Sequence, residues 1–393
     1  MVTLDFAISK VLEHARTSMP TETVPLWSSI GRVLAVDISS DINMPPFNKS
    51  AVDGYACRKD DLEQPLRVIE VIPAGQMPQQ EVKSGTCSKI MTGAPVPSGA
   101  DCVIMVEEVE EVDNDTIRFT GKYKKNNIAK FAEDIKIGDL ALSKGTLIEP
   151  QHIAILATVG VNQVVVARQP KVSILITVDE LVEVDTKPID SQIRNSNGHQ
   201  LYAQVVRAGA IPTYGGIVDD TEEATRSAIA NALIECDVVV LTGGVSMGDF
   251  DFVPNVLKSL DVDIKFQTIA VQPGKPTLFG VKGNKFVFGL PGNPISSLFQ
   301  FDLLVRSAIL AMMGASKPTK SIMKMTLASN FRRKRSQRLS LVPGIINDKG
   351  EVDFIDYHGS AHIFSMAQAQ VMVIIPTEVD SINKGEQVDV RPL

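Results

Sequence analysis

The fold is set by residues 237–297, which read DVVVLTGGVSMGDFDFVPNVLKSLDVDIKFQTIAVQPGKPTLFGVKGNKFVFGLPGNPISS. Three glycine-rich turns follow apolar runs here, at Thr242–Asp249, Gln272–Pro276 and Leu290–Pro294. The runs Asp237–Leu241 and Lys285–Leu290 are rich in β-branched and aromatic residues and bounded by Gly and Pro, which predicts short buried strands. Glycine lets main-chain N–H groups approach a ligand, and a helix that starts after such a turn points its positive end at the same place. The pattern therefore favours a phosphate or another oxyanion as ligand.

Strands and helices alternate on both sides of this stretch, across residues 170–313. Such alternation predicts a parallel-type sheet covered on both faces, which binds ligands beyond the carboxyl ends of its strands. Further strands are predicted at Val172–Thr177 and Ile211–Ile217. Helices are predicted from a cap at Ser196 or Asn197 through Ala208, from a cap at Asp220 through Glu235, and from Pro294 to about Met313.

Four carboxylates are predicted at this sheet edge. Asp179 and Glu180 follow the strand Val172–Thr177, and Asp249 and Asp251 follow the strand Asp237–Leu241. Like charges this close repel one another, and a divalent cation is the usual compensation, with Mg²⁺ preferred where phosphates share its ligands. The residues therefore predict a site for magnesium and a phosphate-bearing ligand. The alternative is that these acids only cap helices.

Several common nucleotide and hydrolase motifs are absent from the sequence. A P-loop would need Ser or Thr after its Gly-Lys pair, but Pro276 follows Gly274-Lys275. No G-x-G-x-x-G follows a predicted strand, and no serine lies in a G-x-S-x-G elbow. Ordinary kinase, dehydrogenase and hydrolase functions therefore lose support.

The segments outside residues 170–313 are predicted to be mainly β, apart from two helices. These helices span residues 3–18, with Thr3 as N-cap, and Pro150–Thr158. Short β-like runs between turns predict a small β domain over residues 66–137, and a barrel or sandwich over the C-terminal residues. By residue type alone, Asp53 and Thr92 are turn residues. The basic segment Phe331–Arg338 has two interpretations, a solvated strand edge or a lid over an anionic ligand.

Composition limits the class of protein. A chain of 393 residues is too long for one core, so about two to four domains are expected. The net charge of -7 argues against non-specific nucleic-acid binding, which needs a basic face. The four cysteines lack a C-x-x-C pair, so reduced, buried thiols are expected. No long apolar run suggests a membrane segment, and the protein is predicted to be cytoplasmic.

Six short motifs occur in order along the chain, and together they carry a family resemblance. The motifs are Ser50–Ala56, Met91–Pro97, Glu133–Ile135, Thr242–Ser246 with Gly248, Asp249 and Asp251, Pro273–Pro276, and Leu290–Pro294. They resemble the molybdopterin molybdenumtransferase family, the bacterial MoeA proteins related to the gephyrin E domain. Each motif alone is weak, whereas six in family order across the whole chain are highly specific.

The resemblance implies a multidomain α/β plus β fold in an elongated homodimer. The family's active cleft lies between the α/β domain of one subunit and the β domain of the other. Four parts are implied for each subunit: a helical linking domain (1–45 with 138–168), an inserted β domain (46–137), a three-layer α/β molybdopterin-binding domain (169–318) and a C-terminal β barrel (319–393).

The resemblance also implies a reaction. In this family, molybdate and adenylylated molybdopterin are the substrates, the metal is inserted into the dithiolene, and AMP is released with assistance from Mg²⁺. A separate molybdopterin adenylyltransferase is the expected upstream partner, because the chain has room for only one α/β unit. Apo-molybdoenzymes or their chaperones are the expected recipients, and no nucleic acid or membrane is expected as a partner.

Site residues follow from the resemblance by position in the motifs. Asp53, Thr92 and Asp134 would come from the partner subunit. The implied catalytic residues are Asp251, Glu180, Asp53, Thr92 and Asp134, and the implied metal ligands are Asp251, Asp249 and Glu180, with Asp179 nearby. The implied cofactor-binding residues are Gly243, Gly244, Ser246, Asp249, Lys275, Pro291, Pro294, Ser296, Arg338 and Ser360.

Some positions depart from the family pattern. Val178 stands where glycine is usual, and a β-branched residue disfavours the positive φ angle that glycine permits. Gln272 stands where lysine is usual, which removes one positive charge from the implied molybdate clamp. Ala129 and Ala132 stand where an arginine and a glycine are common, and Asn48-Lys49 replaces a frequent Asp-Asn.

Functions of different classes are therefore open. The first is an active molybdenum insertase. The second is a diverged, non-catalytic molybdopterin-binding or scaffold protein on the same fold. A third is a nucleotide-binding enzyme of unrelated chemistry.

Overall fold

The computed structural model describes residues 1–15, 19–123, 125–178, 180–244 and 252–393. The chain divides into two compact units. The first contains Met1–Val36, Lys144–Pro150 and Gln163–Leu393, and the second contains Asp37–Ser143 and Gln151–Asn162. This division is coarser than the four predicted domains, whose boundaries remain predictions.

A six-stranded sheet forms the centre of the first unit. Its parallel strands are rich in Val, Ile and Leu, and β3 is buried along its whole length, as expected where both faces of a sheet are covered. The strands are β1 (Lys171–Thr177), β2 (Ile211–Val218), β3 (Val238–Thr242), β4 (Asp263–Thr268), β5 (Pro276–Lys282) and β6 (Lys285–Leu290).

The strands lie side by side in the order β2-β1-β3-β6-β5-β4. As the alternation predicts, β2, β1, β3 and β6 run parallel. In contrast, β5 runs antiparallel to both β6 and β4, so the sheet is mixed on this side. Neither β4 nor β5 is predicted from the sequence, because β4 mixes polar with apolar residues and β5 begins at a proline.

Helices cover both faces of the sheet, in line with the side-chain alternation of the strands. Ile174 and Val240 face the core that contains helix α1 (Ser196–Arg207), while Leu175 and Val239 face the opposite core. The opposite core is covered by α2 (Glu222–Glu235) and α3 (Val253–Ser259). Helix α4 (Pro294–Met312) packs on the α1 side and contains a π-helical segment at Phe301–Val305.

Two predicted helix caps are wrong by one or two residues. Asn195, not Ser196 or Asn197, caps α1 by accepting a hydrogen bond from the Gly198 N–H. Thr221, not Asp220, caps α2 by accepting from the Ala224 N–H. In each case a cap residue of the preferred type lies three residues before the amide that it must satisfy.

The rest of the first unit consists of an N-terminal segment and a C-terminal β part. Helix Leu4–His14, capped by Thr3 as predicted, packs into the α1-side core, and the strands Thr21–Pro25 and Gln163–Ala167 pair antiparallel. The C-terminal part confirms the predicted β structure with one larger sheet and one strand pair. The sheet contains Val271–Gln272, Leu339–Ile346, Val371–Ile375, Gln387–Pro392, Met323–Thr326 and Val352–Phe354, and the pair is Phe331–Arg332 with Ser381–Ile382.

The second unit is built on a six-stranded sheet, as predicted for a small β domain. Its strands in spatial order are Cys102–Met105, Gly54–Cys57, Thr86–Ile90, Leu66–Ile72, Thr116–Phe119 and Val109–Asp113. Two strand pairs accompany it, Lys49–Ser50 with Ile128–Ala129 and Ile38–Ser39 with Leu140–Leu142. The helix Pro150–Thr158 has its predicted bounds.

All four cysteines are free and buried, as expected. Among the described residues, α4 is the helix that is long and apolar enough to cross a membrane. It is 83% buried inside the fold, which is the environment of a core helix.

Candidate active site

The three glycine-rich turns lie at one edge of the central sheet. The last residues of β3 and β6, Thr242 and Leu290, are paired in parallel register. The second turn connects the end of β4 to the start of β5, where Thr268 pairs with Pro276. Since β5 is antiparallel to β6, this connection lies at the same edge as the other two turns. Residues 245–249 of the first turn lie outside the described residues.

Asn197 joins the first and third turns. This residue lies in the first turn of α1 with 7% exposure, and its Nδ2 donates to the Gly292 carbonyl oxygen at 2.7 Å and to Thr242 Oγ1 at 3.1 Å. The Thr242 hydroxyl in turn donates to the Pro291 carbonyl oxygen at 3.1 Å. All three bonds use oxygen acceptors, so they fix the turns without engaging a main-chain N–H group of either turn.

Gln300 joins the second turn to helix α4. Its side chain is fully buried, and Nε2 donates to the Pro273 carbonyl oxygen at 3.4 Å. Gly274 has a φ of +102°, and a methyl group there would lie 2.5 Å from the same nitrogen. The second turn therefore needs glycine both for its backbone conformation and for its contact with Gln300.

The first turn is closely packed against the end of β1. Gly243 has a φ of +93°, and a methyl group there would lie 2.3 Å from the Thr177 carbonyl oxygen and 2.4 Å from Val178 Cγ2. Val178 is not among the described residues with positive φ, so the expected backbone conflict at this position is not found. The non-glycine residues that do have a positive φ are Asn127, Ala132, Asp261 and Glu378.

The predicted oxyanion ligands differ in exposure. Lys275 is exposed, whereas Ser296 is buried with 2% exposure. Pro291 is buried and Pro294 is half-buried. Ser360 reaches the start of α4, where its carbonyl oxygen accepts from the Ile295 N–H at 3.1 Å. The C-terminal β part thus contacts the start of the helix that follows the third turn, and the binding role of Ser360 stays a prediction.

Arg338 contacts the second turn directly. Its Nη1 donates to the Val271 carbonyl oxygen at 3.1 Å, and its Nη2 donates to Gln272 Oε1 at 3.4 Å. The strand Val271–Gln272 also pairs in parallel with Leu339–Ile346, which holds Arg338 in place. A lysine at position 272 would repel this guanidinium, whereas the amide oxygen of Gln272 accepts a hydrogen bond from it.

A cleft of about 490 Å³ opens beside the Arg338–Gln272 pair. Lys334 and Arg335 line it, so the basic segment faces a concave surface in addition to forming a strand edge at Phe331–Arg332. Arg333 is used for structure: Nε donates to the Val379 carbonyl oxygen at 2.7 Å, and burial lowers the pKa of its guanidinium. The strand edge is therefore observed at Phe331–Arg332, whereas the lid over an anionic ligand stays a prediction.

Two of the three implied metal ligands, Asp249 and Asp251, lie outside the described residues, and so do Asp179 and Ser246. Glu180 is described and exposed, and its carbonyl oxygen accepts from the Ile193 N–H at 2.9 Å. Among the described residues, no group of three His, Cys, Asp or Glu side chains is arranged for a metal ion.

Asp220 is a carboxylate at the sheet edge that the sequence analysis assigned to a helix cap. It follows β2, and its Oδ1 lies 3.9 Å from the position that a methyl group on Gly244 would occupy. The first glycine turn therefore has an acidic neighbour on the β2 side. Its position just after a parallel strand, as for Asp179, is the signal that could have identified it.

In the second unit, Asp53 and Thr92 form one hydrogen-bonded group. Asp53 Oδ1 accepts from the Thr92 N–H at 2.6 Å and from the Thr92 hydroxyl at 2.7 Å. The main-chain bond and then the hydroxyl bond lower the pKa of the Asp53 carboxyl below its ordinary 3.8. Gly93 follows with a φ of +84° and open space around it. The predicted turn thus presents an exposed, ionised carboxylate.

Asp134 lies on a segment that pairs with the loop before Asp53. It is exposed, and its N–H donates to the Met44 carbonyl oxygen at 3.0 Å. Asn48 Oδ1 accepts from the Phe131 N–H at 2.8 Å, which ties the same two segments together. Ala132, between Phe131 and Asp134, has a φ of +56°. The left-handed conformation is therefore found at Ala132, another position that departs from the family pattern, and not at Val178. Within the described second unit, no hydrogen bond joins Asp134 to Asp53.

The fold and sites define a multidomain α/β plus β protein with three glycine-rich turns at the edge of a mainly parallel sheet. Three sequence families match the chain: the MoeA N-terminal region (domain I and II) at residues 2–160, a probable molybdopterin binding domain at 173–311, and the MoeA C-terminal region (domain IV) at 324–393.

Full-length relatives and a solved structure agree with these matches. The chain is 37% identical over 408 residues to a molybdopterin molybdenumtransferase of Haemophilus influenzae, covering 100% of this chain and 98% of the relative. It is 34% identical to one of Staphylococcus aureus strain Mu50, covering 98% and 94%. The crystal structure of the molybdopterin biosynthesis MoeA protein from Pyrococcus horikoshii OT3 matches with a TM-score of 0.82 and 31% identity over 100% of both chains. The chain belongs to the MoeA family of molybdopterin molybdenumtransferases, which confirms the resemblance and the fold class.

Proposed function

We propose that this protein catalyses the last metal-insertion step of molybdenum cofactor biosynthesis, taking adenylylated molybdopterin and molybdate and releasing AMP. The observation that carries the proposal is the convergence of three glycine-rich turns, fixed by Asn197 and Gln300, at one sheet edge. Turns held through their carbonyl oxygens present their N–H side to an anionic ligand. A preorganised set of donors of this kind suits both a pyrophosphate and a molybdate.

Each part of the edge has a chemical role in this proposal. Gly243 and Gly244, with Ser246, would bind phosphate through main-chain amides, and Lys275 would add the positive charge that holds the oxyanion. Arg338 supports the second turn through Gln272 and supplies a further cation beside it. The contact of Ser360 with the start of α4 closes the site from the C-terminal part. Pro291, Pro294 and Ser296 shape the third turn.

Magnesium is part of the proposal, with Glu180, Asp249 and Asp251 as its ligands. The donor set consists of carboxylate oxygens, which fits a hard cation that shares its ligands with phosphate. When bound, Mg²⁺ would neutralise charge on the leaving phosphate. Asp220, beside Gly244, adds to the negative charge that a cation would offset.

The second unit and the partners complete the proposal. Asp53, Thr92 and Asp134 would complete the cleft from the partner subunit of a homodimer, with the Thr92 hydrogen bonds keeping Asp53 ionised. We propose a cytoplasmic location, a separate molybdopterin adenylyltransferase as supplier, and apo-molybdoenzymes or their chaperones as recipients.

The test is AMP release from adenylylated molybdopterin by the purified full chain with Mg²⁺, with and without molybdate. Molybdate-dependent release, together with activation of an apo-molybdoenzyme, is the expected result. Lys275→Gln should lower this activity by at least tenfold, whereas Lys349→Gln, an exposed lysine in a distant turn, should leave it unchanged. Tight binding of the nucleotide without release would instead assign the protein to the non-catalytic binding or scaffold class.

A further inference from the structure

Away from the glycine turns, Lys320 and Arg391 bind the buried carboxylate of Asp302, and Arg207 and Arg306 line the same cavity as this carboxylate. Lys320 Nζ lies 2.7 Å from Asp302 Oδ1, and Arg391 Nε donates to Asp302 Oδ2 at 3.0 Å. Arg391 also donates to the Asp302 carbonyl oxygen at 3.1 Å. Asp302 and Arg391 are 7% and 3% exposed. Both carboxylate oxygens are therefore already engaged, each by its own cation.

The other two cations of this basic cluster, Arg207 and Arg306, have only main-chain acceptors among the described residues. Arg306 Nη1 donates to the Pro318 carbonyl oxygen at 3.3 Å, and Arg207 Nη2 donates to the Leu393 oxygen at 2.8 Å. The cluster thus places four positive charges around one side-chain carboxylate. With a carboxylate on Leu393 as well, four positive charges would face two negative charges. Burial lowers the pKa of the Arg306 guanidinium, and its basic neighbours lower it further.

A cavity of about 80 Å³ lies within the basic cluster. Its polar lining consists of Arg207, Arg306, Lys320, Gln204 and the already paired Asp302, and its other lining residues are Ala208, Leu298, Phe301 and Leu393. This is several times the roughly 10–15 Å³ that one water needs by the same kind of measure. Gln204 Nε2 donates to the Leu298 carbonyl oxygen at 3.1 Å, and its Oε1 is buried without a partner among the described residues. The cavity therefore offers several cationic donors and one open acceptor.

We propose that the basic cluster is a binding site for a tetrahedral oxyanion that carries a hydroxyl group, with inorganic hydrogen phosphate as the ligand. Its charged oxygens bind Arg207, Arg306 and Lys320, which compensates the excess positive charge, and its hydroxyl donates to Gln204 Oε1. The site is separate from the sheet edge, because Asp302 lies eight residues, or about 12 Å of helix rise, beyond Pro294.

Bound phosphate would connect three parts of the first unit. Arg207 belongs to α1, Arg306 belongs to α4, and Lys320 lies in the segment that leads from α4 into the C-terminal β part. A ligand that binds only the folded arrangement of these parts stabilises it by mass action. Phosphate should therefore raise the unfolding temperature in a saturable way.

The test is thermal unfolding of the full chain in inorganic phosphate, compared with sodium chloride at matched ionic strength. Lys275→Gln serves as the background, so that phosphate at the sheet edge contributes little. The unfolding temperature should rise by several degrees and saturate with phosphate concentration. Arg306→Gln should need at least a tenfold higher phosphate concentration for half of this rise, and Arg207→Gln a smaller increase. The Arg207 side chain is exposed, so Arg207→Gln is not expected to misfold. Arg226→Gln, an exposed arginine on α2, is the matched control and should respond like the background.

Two further anions distinguish the ligand. Sulfate, which has no hydroxyl at neutral pH, should need at least a threefold higher concentration than phosphate for half-maximal stabilisation. AMP should give no protection that depends on Arg306, because the cavity has no room for a nucleoside. The proposed site would be wrong if phosphate raised the unfolding temperature no more than sodium chloride does. It would also be wrong if both Arg306→Gln and Arg207→Gln kept the full phosphate-dependent rise. Equal protection by sulfate, or AMP protection that Arg306→Gln removes, would overturn hydrogen phosphate as its ligand.

Discussion

Two regions carry the residues assigned to the active cleft, and they are held in different ways. The sheet edge of the first unit is fixed by buried amides from remote chain segments: Asn197 and Gly292 are 95 residues apart, and Gln300 and Pro273 are 27 apart. The turn at Asp53 and Thr92 in the second unit is exposed and held by direct hydrogen bonds between these two residues. The first is positioned by packing and the second by local bonding, so substitutions should affect them differently.

Matched glycine substitutions test this difference with the largest expected effect. Gly243→Ala in the first region places a methyl group 2.3 Å from the Thr177 carbonyl oxygen at a φ of +93°, whereas Gly93→Ala in the second meets open space at a φ of +84°. Gly243→Ala should lower the free energy of unfolding by at least about 3 kcal/mol, and Gly93→Ala by about 1 to 2 kcal/mol. Calorimetric unfolding of both variants measures the difference. Equal losses would show that the first turn is no more tightly packed than the second.

The second prediction concerns Asn197. Asn197→Ala removes the donor to the Gly292 carbonyl oxygen and leaves a small cavity, so it should lower the free energy of unfolding by about 1–3 kcal/mol. Because it also releases the third turn, AMP release should fall even at temperatures where the variant is fully folded. Urea unfolding and the AMP assay measure the two effects.

The control for Asn197 lies on the turn itself. Asn293 is exposed, and its side chain makes no capping bond at the start of α4, so Asn293→Ala should change stability by less than about 0.5 kcal/mol. A stability loss as large as that of Asn197→Ala would mean that the amide bridge is not what holds the turn.

The contrast between the regions also explains what the sequence could predict. Strand and turn patterns are local, so β1, β3 and β6, the three turns and the Thr3 cap follow from the residues. The motifs also named Asp53 and Thr92, although not their hydrogen bond. From the sequence, Asn197 is only a candidate helix cap and Gln300 an ordinary helix residue, because their partners are distant in sequence and become neighbours only when the sheet forms.

Local patterns also fail where two local signals compete. Val178 and Ala132 both stand where the family has glycine, and a backbone conflict was expected at Val178. The positive φ is found at Ala132 instead. Sequence motifs alone do not show which of the two positions needs a positive φ. Asp220 and Thr221 are both good cap residues, and only the structure assigns the cap to Thr221 and the carboxylate to the sheet edge.

Two alanines of the second unit give the third prediction, in which substitution by glycine changes the free energy of unfolding in opposite directions. Ala132→Gly should raise the free energy of unfolding by about 0.5 kcal/mol, because relief of the φ of +56° exceeds the loss of one methyl group. Ala129→Gly, in the strand Ile128–Ala129, should lower it by about 0.5–1 kcal/mol. Calorimetry of the two single variants measures both. A loss of stability in Ala132→Gly would mean that the buried methyl group outweighs the backbone strain.

The smallest effect on stability is expected at Thr92, where the local bonding of the second region can be measured directly. Thr92→Val keeps the main-chain bond to Asp53 Oδ1 and removes the hydroxyl bond, so the pKa of Asp53 should rise part of the way toward its ordinary 3.8. Carboxyl carbon NMR of aspartate-labelled protein measures this pKa. Thr120→Val is the control, because its hydroxyl bonds to a main-chain oxygen of Glu108.

The sign of the pH dependence follows from the lowered pKa of Asp53. A carboxyl group whose pKa is lower in the folded state stabilises the fold above its ordinary pKa, and this contribution disappears as the pH falls through the folded value. The part of the stability difference between the native chain and Thr92→Val that depends on the Asp53 charge should therefore be constant above about pH 5, more than one unit above the ordinary Asp pKa, and be lost in acid. If the Asp53 pKa does not move in Thr92→Val, the main-chain N–H of Thr92 alone keeps this carboxylate ionised. The second region would then depend on its backbone as much as the first depends on its buried amides.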